Sequence, residues 1–233
     1  MEGDHTAFVG ADNPYLTPAR VRAALRALEL RPSRGMGQNF LIDGVALARI
    51  VAAAELTSAD MVVEVGPGLG VLTWELARVA GQVVAVELDR RLAERLQAEL
   101  ANHGHVSVVQ SDVLRLPPAA ILAAADPAAA TRPYKVVANL PYAITSAVLR
   151  HFLSDSTRPA LMVVLVQREV AERICARAGD YSVLAHAVQI YAEPAIVARV
   201  PAASFFPAPE VESAVLGLRM RPHPAAADPE GLL

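Results

Sequence analysis

The sequence predicts an α/β fold built on a doubly wound, mostly parallel sheet, and three observations carry that prediction. From residue 61 onward, short apolar runs alternate with helical patterns, the order that lays helices over both faces of a parallel sheet. The first run ends in a glycine-rich turn, Gly66-Pro67-Gly68-Leu69-Gly70. Gly66, Glu87, Asp112 and Asn139 then stand at or just past the ends of successive strand candidates. That carboxyl edge is where open α/β sheets bind ligands.

Thr17 and Pro18 open an amphipathic helix in ARVRAALRALEL, with Thr at the N-cap and Pro at the first helical position. The loop RPSRGMGQNFL follows, and Asp43 caps a second helix, GVALARIVAAAEL. Seven strand candidates come next: MVVEV, QVVAVEL, HVSVVQ, YKVVAN, ALMVVLVQ, PAIVARV and SAVLGLR. The first five read as buried parallel strands. VLTWELARVA and RRLAERLQAEL lie between them as helices, and helical stretches run on from Gln167 to Ala187. The last two strand candidates flank PAASFFPAPEVE closely enough to pair with each other at the sheet edge. The tail RPHPAAADPEGLL lacks periodicity and reads as a linker or frayed end.

A hydrophobic fraction of 54% with 19% charge describes a globular chain. No apolar run reaches the ~20 residues that span a bilayer, and the acidic start MEGDHTAFVG has no signal-peptide core. The single Cys175 excludes an internal disulfide and a multi-cysteine metal site, which suits a reducing cytoplasm. The six His residues show no metal spacing. A net charge of −3 speaks against a nucleic-acid partner overall. Arg20, Arg22, Arg26, Arg31 and Arg34 nonetheless form a local basic run, readable as an RNA contact or as a solvated helix face. Arg168 and Arg173 form a second patch, which could equally be an ion-pair network with Glu169 and Glu172.

Glycines at alternate positions let a backbone turn sharply and approach a ligand where a Cβ would clash. A carboxylate about 20 residues further on is the expected ribose acceptor, and Glu87 fills that place. The third Gly comes one residue early for a dinucleotide fingerprint, and the loop has no Lys or Arg to meet a pyrophosphate. A nucleoside without phosphates fits better, S-adenosylmethionine being the commonest. Asp112 could accept from an adenine amino group, or could simply be a solvated loop carboxylate. A turn kept only for packing is the plainer alternative for the glycines.

The motifs GQNFLID (37–43), EVGPGLGVLT (64–73), VELD (86–89), QSDVL (110–114), NLPY (139–142), QREVAERI (167–174), DYSVLA (180–185) and FFPAPEVESAV (205–215) occur in that order. Together they resemble the ribosomal RNA adenine N6,N6-dimethyltransferases, relatives of the erythromycin-resistance methyltransferases of large-subunit rRNA. The resemblance implies a Rossmann-like, class I fold dependent on S-adenosyl-L-methionine (SAM), with a seven-stranded sheet. It implies a methyltransferase catalytic domain over 37–221, after an N-terminal helix and basic loop over 1–36 and before a Pro/Ala-rich tail over 222–233. The family's small helical C-terminal domain is expected to be absent. Cofactor-binding positions implied by the resemblance are Gln38, Asn39, Leu41, Gly66, Gly68, Glu87, Leu88, Asp112, Val113 and Asn139, with Gly66 under the methionine part, Glu87 on the ribose, Asp112 at the adenine and Asn139 between cofactor and substrate. The implied partner is the small ribosomal subunit and its rRNA, met by a monomer without metal or membrane.

The chemistry expected of NLPY follows from its residue types. Adenine N6 is a poor nucleophile because its lone pair is delocalised into the ring. Hydrogen bonds from N6–H to the Asn139 side-chain oxygen and the Leu140 carbonyl would favour a pyramidal nitrogen and stabilise its developing positive charge. Pro141 restricts Leu140 to extended backbone. A base taken out of its stack needs flat walls, expected from Tyr142 on one side and Phe205 on the other, with Phe206 packing below. Three readings stay open: dimethylation of two adjacent adenosines near the 3′ end of small-subunit rRNA, the same chemistry on large-subunit rRNA, and a non-catalytic RNA-binding or assembly factor on this fold.

Overall fold

The computed structural model describes residues 12–30, 39–177 and 179–225. Helix α1 (Pro18–Ala27) starts as its sequence dictates, with the Thr17 hydroxyl accepting from the Arg20 N–H at 3.3 Å. Asp43 caps α2 (Gly44–Ala53) by accepting from the N–H groups of Val45 and Ala46. Both helices stop short of their apolar patterns, and the chain turns through left-handed Glu29 (φ 53°) and Glu55 (φ 48°).

Seven strands form one sheet in the order β4-β3-β2-β5-β6-β9-β7. They are β2 (Met61–Val65), β3 (Gln82–Glu87), β4 (Val106–Gln110), β5 (Lys135–Asn139), β6 (Leu161–Gln167), β7 (Ala192–Val200) and β9 (Ser213–Met220). The first five pair in parallel. Strand β9 returns antiparallel between β6 and β7, so the two late strands do pair, and β7 is the edge. Two short strands, β1 (Phe40–Leu41) and β8 (Phe205–Phe206), pair antiparallel outside the sheet. No sequence pattern announces that pair.

Alternation along the strands builds two apolar layers. Met61, Val63 and Val65 of β2, with Val136 and Ala138 of β5, pack on one face, against Val148, Leu149 and Phe152 of α6 (Thr145–Ser154). Val62 and Val137 point into the other layer, with Leu47 and Ile50 of α2. Helix α1 buries Val21, Ala24 and Leu25 in that same layer. Among the described residues, no helix is long and apolar enough to cross a membrane.

The strand order reverses between β2 and β5: β3 and β4 follow on one side, β6 on the other. A crevice opens at the carboxyl ends of strands at such a switch point. The glycine turn after β2 and the NLPY turn after β5 face each other across it.

Candidate active site

A cavity of about 540 Å³ occupies this crevice. Its floor is the turn from β2 into α3 (Val71–Val79), where Gly66, Gly68 and Gly70 all take positive φ, at 64°, 60° and 86°. The Phe40 ring presses onto this turn: a Cβ at Gly68 would lie 3.1 Å from Phe40 Cε1. Glu87, at the end of β3, stabilises the turn from inside. Its Oε2 accepts from the Gly68 N–H at 2.9 Å and its Oε1 from the Asp89 N–H at 2.9 Å. Burial holds the Glu87 carboxyl above its usual pKa, against the pull of those two donors.

Asp112 lies beyond β4 and caps a single turn, accepting from the Leu114 N–H at 3.0 Å. Across the crevice, Asn139 ends β5 and donates through Nδ2 to the Asn39 carbonyl at 3.1 Å. That bond fixes which end of the amide is which, and among the described residues Oδ1 accepts nothing. Leu140 donates its N–H to the Leu165 carbonyl at 3.1 Å, while its own carbonyl is free of hydrogen bonds among the described residues. Pro141 packs against the glycine turn, its Cδ 3.6 Å from where a Cβ on Gly66 would sit. Tyr142 lines the cavity and shares a 2.6 Å hydrogen bond between its hydroxyl and Ser213 Oγ. Burial pushes the Tyr142 phenol up, with the Ser213 contact opposing.

Asn39, Leu41, Gly66, Gly68, Glu87 and Leu88 thus border one cavity. Asp112, Val113, Asn139, Leu140, Pro141 and Tyr142 complete the same wall. Gln38 lies outside the described residues, as do Arg31 and Arg34. Phe205 stands apart from this wall. It is 3% exposed, paired with Leu41, and packed in the core layer below rather than along the cavity. Its neighbour Phe206 is half-buried against the same layer, with the Arg22 guanidinium 5.1 Å from its ring centroid. Arg168 is engaged by Glu172 at 3.7 Å and by Glu212 at 2.7 Å.

Sequence reasoning passed over Glu64, Ser213 and Asp89. Glu64 is 2% exposed, lines the cavity, and has an Oε2 without a hydrogen-bond partner. Burial drives its pKa up to about 8, opposed by the Thr73 hydroxyl and reinforced by the Glu87 carboxylate. A carboxyl inside the otherwise apolar run MVVEV was the available signal. With Glu64, Glu87, Asp89 and Asp112, and no Lys or Arg among its described lining residues, the cavity suits a cation and repels phosphates.

Similarity to known proteins agrees with this chemistry. The family model for "Ribosomal RNA adenine dimethylase" matches residues 31–230. A "Ribosomal RNA small subunit methyltransferase A" of Dehalococcoides mccartyi is 44% identical over 214 residues, covering 92% of this chain and 70% of that protein. Its counterpart in Moorella thermoacetica is 46% identical, covering 89% and 74%. Among solved structures, the 23S rRNA methyltransferase ErmE superposes with a TM-score of 0.69 at 35% identity, over 81% of this chain and 72% of its own. A crevice bordered by the NLPY turn and four carboxyl side chains, with a match over most of the chain, leads to one conclusion: this chain belongs to the ribosomal RNA adenine dimethylase family.

Proposed function

We propose that this chain transfers methyl groups from S-adenosylmethionine to N6 of two adjacent adenosines near the 3′ end of small-subunit rRNA. The observation that carries the reading is the fixed amide of Asn139, whose Nδ2 is committed to Asn39 while Oδ1 remains available at the cavity. The residues present suit the cofactor. Four carboxyl groups line the cavity, Glu64 keeps an orphaned oxygen there, and no phosphate-binding cation stands among the described lining residues. When bound, S-adenosylmethionine supplies an electrophilic methyl group on a sulfonium.

The chain's share is to hold the adenine nitrogen within near-attack distance and orient its lone pair. Asn139 Oδ1 and the Leu140 carbonyl accept from N6–H, and the Tyr142 ring carries the base. Such acceptors, fixed in advance, stabilise charge as it develops on the nitrogen. No general base is required, since the methylated nitrogen sheds its proton readily. The exposed Arg20, Arg22 and Arg26 of α1 offer a path for the RNA backbone. Arg22 covers Phe206, whose strand partner Phe40 lines the cavity.

The small-subunit target is favoured because the relatives at 44% and 46% identity carry that name, whereas ErmE, at 35%, acts on 23S rRNA. The test offers labelled cofactor with undermethylated small subunits and, separately, large subunits, followed by mass spectrometry of the nucleosides. Dimethyladenosine from the small subunit alone is the expected result. Transfer to large subunits only would move the target, and transfer to neither, despite cofactor binding, would sink the enzymatic reading.

A further inference from the structure

We infer that Ser213 is a positioning residue for the target base, acting through Tyr142. The inference rests on the proposed function and deepens it. Ser213 is the first residue of β9 and is fully buried, at 0% exposure. Its backbone is held from both sides, paired with Gln167 of β6 and Val200 of β7. Its hydroxyl is therefore a fixed point of the sheet. Tyr142 lies 71 residues earlier, in a one-turn segment (Tyr142–Ile144) that has no side-chain cap. Nothing in that short turn would hold a ring in one orientation, and the 2.6 Å bond to Ser213 supplies the missing constraint.

Two consequences follow. The Tyr142 hydroxyl is occupied by the protein scaffold, so its part is to aim the ring rather than to exchange a proton with substrate. The motif FFPAPEVESAV, which contributes no ring to the cavity wall through Phe205, contributes to base placement through its serine instead. A face that swings by one rotamer presents N6 at a different distance from Asn139, and near-attack geometry is sensitive to such shifts.

The experiment is a double-mutant cycle with Ser213→Ala, Tyr142→Phe and the pair, read as kcat/KM for the rRNA substrate and Kd for the cofactor. Each single variant is expected to lose roughly tenfold in kcat/KM, the rate equivalent of one hydrogen bond, with cofactor Kd within about twofold. The double variant is expected to be no worse than either single, because both remove the same bond. Ser213→Thr, which keeps the hydroxyl, is expected to recover activity over Ser213→Ala. Multiplying losses, or wild-type kinetics in Tyr142→Phe, overturn the inference. Tyr142→Phe leaves the sheet untouched and stays informative if Ser213→Ala fails to fold. The unsubstituted chain separates the two levels: no transfer by it overturns the proposed function as well, whereas normal transfer by all variants overturns only the role of Ser213.

Discussion

The side-chain amide of Asn139 donates to the backbone carbonyl of Asn39 at 3.1 Å, across 100 residues of sequence. One hydrogen bond thus joins the NLPY turn to the segment GQNFLID and leaves a single amide oxygen to face a substrate. Asn139→Ala is predicted to lower methyl transfer by on the order of 100-fold or more, the scale for loss of one aligned electrostatic partner. Cofactor binding should weaken but stay measurable by calorimetry. Full turnover in that variant would refute the role given to the amide.

Phe205 and Phe206 are adjacent and should fail differently. Phe205, 3% exposed in the core, is predicted to cost about 3–5 kcal/mol when changed to Ala, visible as a lower denaturant midpoint. Phe206→Ala removes a half-buried ring that packs on the same layer and carries Arg22, so it should lower the midpoint less than Phe205→Ala while weakening RNA binding in filter assays. An unaltered midpoint in Phe205→Ala would contradict its burial.

Gly70 turns the chain into α3 at φ 86°, and a Cβ there would lie 2.4 Å from Leu96 Cδ1. Leu96 is itself 1% exposed, so its side chain must shift within the core to admit that methyl. Gly70→Ala combines left-handed strain with overpacking and is predicted to destabilise by on the order of 3 kcal/mol. Equilibrium unfolding in urea checks it, and a change below the error of the fit would count against the argument.

Glu64 carries a pKa raised to about 8 by burial. A carboxyl raised on folding stabilises the folded state most below its unfolded pKa, near 4.5, and that contribution drains away as pH rises towards 8. Glu64→Gln keeps the neutral shape and does not titrate. Its melting temperature should therefore gain on the unsubstituted chain between pH 5 and pH 8 and run parallel above that. A constant difference across the range would show that Glu64 is already ionised in the fold. A cationic cofactor beside it should also expel a proton on binding near neutral pH, detectable by calorimetry in buffers of different ionisation enthalpy.

Much of this protein is local and therefore legible in the chain. Thr17 and Asp43 announce their helices because capping needs only a side-chain oxygen next to an N–H. MVVEV and KVVAN announce buried strands because both faces of a parallel strand are covered. The glycine turn and Glu87 could be set at neighbouring strand ends by spacing alone, and the hydrogen bond from the Gly68 N–H to Glu87 shows that they meet.

Tertiary structure decided which side chains actually meet. The β1–β8 pair sets Phe40 against Phe206 and Leu41 against Phe205, and so selects which phenylalanine is buried. Two residues of strand are too short to show an alternation that a sequence could reveal. Return of β9 between β6 and β7 puts Ser213 under the Tyr142 hydroxyl, and no local pattern encodes a contact made by a crossing strand. The sequence by itself determined the layers, the turns and the chemistry of each position. The register of distant strands determined the site, because hydrogen bonds between side chains depend on ångströms that only the packed sheet supplies.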